Sequence, residues 1–130
     1  MGGKVLSYHG LADQLVPPQG TVNYYNRVAM EMGGFAAIQS FYRLYLVPGM
    51  NHGFGNGSPA PGAVPPLPTN AELYRLLTDW VEKGLEPPQQ VNLSTLAGAA
   101  LPASRPICLY PQKPTYQSGN PLSATSYACL

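Results

Sequence analysis

Phe41-Tyr42-Arg43-Leu44-Tyr45-Leu46-Val47 decides how this chain is read. The run is rich in aromatic and branched apolar residues and stops at Pro48, which is the pattern of a strand. The chain then turns through Pro48-Gly49-Met50-Asn51-His52-Gly53. Upstream, apolar residues recur at Val22, Tyr25, Val28 or Ala29, and Met32, so a helix is predicted from about Pro18 to Met32. Proline suits its first turn, and Gly33-Gly34 suits its end. Before that helix, Lys4 to His9 reads as a second strand, closed by Gly10-Leu11-Ala12-Asp13.

Downstream, residues 53–68 are dense in glycine and proline and read as a long irregular loop. Thr69 and Glu72 then form a capping box. Leu73, Leu76, Leu77, Trp80 and Val81 follow at helical spacing, with Lys83 and Gly84 at the end. After Pro87-Pro88 the chain reads as irregular. The expectation is an α/β class: a βαβα unit over residues 1–88 with parallel strands, joined by a right-handed crossover, and an irregular tail over 89–130 packing on it.

In such a unit both loops leave the same edge of the sheet. Asp13 and His52, each a few residues past a strand, can therefore approach each other. A carboxylate that fixes the tautomer of an imidazole leaves the other ring nitrogen free to accept a nucleophile's proton. The order Asp then His fits serine hydrolases of this topology. No G-x-S-x-G is present. Ser7 lies within a strand and Ser58 in the glycine-rich loop, and neither reads as a nucleophile. His9, at the strand end, reads as a structural histidine near the active edge. Tyr24, Tyr25, Tyr42, Tyr45 and Trp80 read as core, and Asp79 and Glu82 as exposed helix charges.

The formal net charge is +1 and 10% of residues are charged, which gives no footprint for nucleic acid. No apolar run reaches the ~18 residues of a membrane span. The first residues lack the apolar stretch of a signal peptide, and M-G-x-x-x with Ser7 one place late misses the myristoylation spacing. Cys108 and Cys129 are the only cysteines. They either close one disulfide loop, worth ~3 kcal/mol in the chain-entropy model and implying an oxidising compartment, or remain free thiols. Two histidines and no C-x-x-C argue against a metal site, and no cofactor is called for.

Four stretches resemble the tannase/feruloyl esterase family of α/β-hydrolases. They are G-G-K-V-L-S-Y-H-G-L-A-D-Q-L-V-P-P-Q-G-T-V-N-Y-Y from Gly2, F-Y-R-L-Y-L-V-P-G-M-N-H from Phe41, L-L-T-D-W-V-E-K-G from Leu76, and R-P-I-C-L-Y-P from Arg105. The resemblance implies that Asp13 is the triad acid and His52 the triad base. It implies a serine far upstream in a C-S-x-G-G turn, and a lid domain for the aromatic acyl group, neither of which is present here. It further implies a secreted or periplasmic parent that cleaves a small aromatic ester. The family usually carries cysteine directly after the histidine, bridged to the cysteine before the serine; here that place is Gly53.

The expected function is thus the C-terminal part of a serine carboxylic-ester hydrolase. The alternatives are an inactive truncated module that pairs with a second copy through an exposed sheet edge or binds a partner, and a split enzyme whose serine comes from another polypeptide.

Overall fold

The computed structural model describes residues 2–53, 55 and 65–130. Strand β1 (Val5–Gly10) pairs in parallel with β2 (Tyr42–Val47), from Val5 opposite Tyr42 to Gly10 opposite Val47. Helix α1 (Pro18–Glu31) connects them, followed by a one-turn helix α2 (Phe35–Ile38) that the sequence reading missed. Most of the loop expected over 53–68 lies outside the described residues, and Ser58 with it.

Strand side chains alternate between faces, and β2 is apolar on both. Tyr42, Leu44 and Leu46 meet Tyr25 and Ala29 of α1 and Ile38 of α2. Tyr45 and Val47 point the other way and join Met50, Leu93, Ile107 and Leu109. This double burial explains why the sequence there is a continuous apolar run rather than an alternating one. Tyr24, expected in the core, is exposed, because it falls on the outer side of α1.

Helix α3 (Asn70–Lys83) begins with the expected capping box: the Thr69 hydroxyl accepts from the Glu72 N–H, and the Glu72 carboxylate accepts from the Thr69 N–H. Gly84 closes it in the left-handed conformation. Trp80 and Leu73 are buried, whereas Val81 sits at the margin of the apolar stripe and is 60% exposed. Asp79 is not a free surface charge, since it pairs with Arg75 at 3.3 Å and Lys83 at 2.7 Å one turn to either side. Arg43 is the one charged residue of β2 and is buried. It stacks over Trp80 and donates to the carbonyls of Gln39 and Pro87 and to the Glu86 carboxylate, so its polar atoms have partners inside the fold.

The segment after Pro88, expected to be irregular, is built of short strands. β3 (Gln90–Ser94) pairs antiparallel with β4 (Ser104–Cys108), and β5 (Pro114–Tyr116) with β6 (Tyr127–Cys129). Leu109 bridges to Tyr45, and the Tyr110 N–H donates to the Leu44 carbonyl, so this region docks on β2 and supplies core. Cys108 and Cys129 are joined by a disulfide across 21 positions, which ties β4 to β6.

Candidate functional site

The site is built where the two parallel strands end. Past Gly10 the chain turns through Leu11 and Ala12 to Asp13; past Val47 it turns through Pro48 and Gly49 to Met50, Asn51 and His52. Backbone hydrogen bonds stitch the turns together: Leu11 N–H to the Val47 carbonyl and Ala12 N–H to the Met50 carbonyl, both at 2.9 Å. The turns approach so closely at Gly10 that a Cβ there would lie 2.3 Å from the Met50 carbonyl oxygen and 2.7 Å from that of Asn51. Gly49 adopts a φ of +74°, which glycine accepts without cost.

This stitching brings Asp13 and His52 together across 39 positions of sequence. Asp13 Oδ2 lies 2.9 Å from His52 Nδ1. Asp13 Oδ1 accepts from the N–H groups of Leu15 and Val16, each at 2.9 Å. Its carboxylate is nearly inaccessible at 5% exposure, while the His52 side chain is 54% exposed. The imidazole of His52 is thus held from within and open outward.

The Val16 N–H is the largest influence holding the Asp13 carboxyl down at about 2; burial opposes it, and the His52 and Leu15 hydrogen bonds act with it. Asp13 therefore stays ionised throughout the neutral range. Its folded value lies below the ordinary 3.8, so the stability it contributes is complete above 3.8 and lost as pH falls toward 2. Thermal melts of the chain and of Asp13→Asn are expected to differ most near pH 5 and to converge by about pH 2. A constant difference across that window would show that the ionised carboxylate has no part in stability.

His9 lies in the same cluster. Its Nε2 is 2.9 Å from the Val16 carbonyl and 3.3 Å from Asp13 Oδ2, and its Nδ1 is 2.8 Å from the Thr21 hydroxyl. A histidine at a strand end gave no sequence signal beyond a structural role. Gly53 has a φ of +97° and, among the described residues, no atom within 4 Å of where a Cβ would sit, so a cysteine there would strain the backbone. Both cysteines of the chain are committed to each other, which leaves none for a bridge at the histidine. Ser7 lies within β1, paired opposite Leu44, and in neither of the two turns. Among the described residues no cluster of His, Cys, Asp and Glu could hold a metal ion.

A mixed α/β chain of this shape is shared with solved ester hydrolases. It superposes on feruloyl esterase B from Aspergillus oryzae with a TM-score of 0.78 at 27% identity, over 99% of this chain and 27% of that one. For tannin acyl hydrolase from Aspergillus niger the values are 0.75 and 28%, over 99% and 23%. The chain belongs to the tannase and feruloyl esterase family, whose profile matches residues 1–130. A probable feruloyl esterase from Arthroderma benhamiae is 39% identical over 98% of this chain and 23% of its own length. A mono(2-hydroxyethyl) terephthalate hydrolase from Piscinibacter sakaiensis is 36% identical over 98% of this chain and 20% of its own. The chain thus spans a quarter or less of these two relatives.

Proposed function

We propose that this chain is the C-terminal part of a serine carboxylic-ester hydrolase and supplies the acid and the base of its triad. The observation that carries this reading is the 2.9 Å contact between a shielded, ionised Asp13 and Nδ1 of an outward-facing His52. The carboxylate keeps the proton on Nδ1 and leaves Nε2 basic. A serine from outside this chain attacks the ester carbonyl while His52 Nε2 takes its proton. Nε2 then gives that proton to the departing alcohol, leaving an acyl-enzyme. Water completes the cycle through the same nitrogen.

The acyl group is that of an aromatic acid. The names of the relatives support this, since feruloyl, tannin and terephthalate esters all place an aromatic ring on the acid side. The disulfide supports an oxidising compartment, secreted or periplasmic.

A second reading draws on β1, which pairs only with β2 among the described residues. Its outer edge is where further strands of a larger sheet would attach, and in an isolated chain it is a surface through which two copies can pair.

One experiment separates the readings: hydrolysis of an activated aromatic ester by the 130-residue chain alone, and by the same chain joined to an upstream family segment carrying the nucleophile. The chain alone is expected to show no turnover above His52→Ala, and the joined protein to show turnover that His52→Ala abolishes. Joined protein that folds but stays inactive would leave the self-associating module as the better account. His52-dependent turnover by the chain alone would mean that it holds its own nucleophile.

A further inference from the structure

The Asp13–His52 pair does not use the second imidazole beside it. His9 is 12% exposed at its side chain, and both of its ring nitrogens are engaged. The partners on the Nε2 side, the Val16 carbonyl and the Asp13 carboxylate, can only accept hydrogen bonds. Nε2 must therefore carry a hydrogen. In the neutral ring, Nδ1 is then the acceptor for the Thr21 hydroxyl, which stands in the first turns of α1. The ring is oriented from behind by the helix and donates forward into the Asp13 loop.

That loop is a closed circuit. Val16 N–H donates to Asp13 Oδ1, and the Val16 carbonyl receives His9 Nε2–H, whose nitrogen stands 3.3 Å from Asp13 Oδ2. Among the described residues, the one side chain hydrogen-bonded to Oδ2 is His52, a ring that is itself half in solvent. Take His9 away and the loop keeps its backbone bonds near Gly10 but loses the side-chain tie at Val16, while Oδ2 is left with an exposed partner. We infer that His9 is a positioning residue: its Nε2–H, set by Thr21, locks the Asp13 carboxylate at the angle from which it holds His52. This rests on the triad reading above, and it separates a donor role from mere filling of space at the end of β1.

The test uses the full-length esterase that carries this segment and measures kcat, KM and melting temperature. His9→Leu keeps bulk and removes the donor. His9→Gln places an amide N–H near the position of Nε2. His9→Asn reaches only as far as Nδ1, keeping a group for Thr21 but none for the loop. His9→Leu and His9→Asn are expected to lose about 10- to 100-fold in kcat with KM unchanged, the scale of a misplacement of about 1 Å at a reacting group. His9→Gln is expected to recover most of that loss even if its melting temperature falls as far as that of His9→Leu.

Wild-type kcat in His9→Leu, or equal kcat in His9→Gln and His9→Asn, overturns the inference. The second comparison decides the matter if His9→Leu does not fold. Asp13→Asn and His52→Ala run alongside. If those two abolish turnover while the His9 variants keep it, only the role of His9 falls; if those two keep it, the triad reading falls as well.

Discussion

Replacing Asp13 by asparagine in the full-length esterase is expected to lower kcat by about 10⁴-fold, as removal of the triad carboxylate's charge does in serine hydrolases. The reason can be read atom by atom. Oδ1 accepts from two backbone N–H groups, Leu15 and Val16. An asparagine must therefore place its carbonyl oxygen there, because an amide NH₂ facing those donors would forfeit both bonds. Its NH₂ then points at His52 Nδ1, while His9 Nε2–H keeps its bond to the Val16 carbonyl. His52 can answer only by accepting on Nδ1, which moves its proton to Nε2, the atom that has to be free to take a proton from the nucleophile. The two backbone bonds to Oδ1 are kept, so KM and the fold are retained, at a lower melting temperature, while His52 is in the wrong tautomer. Activity within about tenfold of wild type would remove Asp13 from the triad.

The second large effect concerns a residue with no functional group at all. Gly10→Ala is expected to destabilise the protein by about 3 kcal/mol, the upper part of the range for forced overpacking, and to remove most of the activity of what still folds. The added methyl would lie 2.3 Å and 2.7 Å from two carbonyl oxygens, both of them backbone. No rotamer change can relieve such a contact, and only a separation of the two turns can. Those turns carry Asp13 and His52, so their 2.9 Å contact is what yields. Chemical denaturation and ester turnover on the same preparation provide the check. An alanine variant with wild-type stability would mean that the turns part freely, contrary to the tight crossing at Gly10.

The residues that were legible in the sequence share one property: their structure is dictated within a few positions. The run from Tyr42 to Val47, the Thr69–Glu72 cap and the stripe from Leu73 to Trp80 each announce themselves locally. The meeting of Asp13 with His52 was legible one step further out, because parallel strands joined by a helix put both loops on one edge. The strands after Pro88 were not legible. β5 and β6 are three residues each, and β4 contains Pro106, which breaks the signature of a strand because it has no N–H to give to a ladder. Their pairing is decided by partners far away, Tyr45 among them. The demand for glycine at position 10 and the forward-facing donor of His9 were equally invisible. Both depend on atoms that only the folded crossing brings near.

The cluster beneath the histidine turn carries a consequence for how the protein is made. Val47 and Met50 rest on Leu93, Ile107 and Leu109, and Leu109 adjoins the cysteine that bonds to Cys129. A ribosome delivers His52 long before it delivers these supports. During synthesis the turn stands on an unfinished foundation, which is completed only when β3, β4 and Leu109 have emerged. Because domains fold as their chain becomes available, Asp13 and His52 settle against each other only after Leu93, Ile107 and Leu109 have been synthesised.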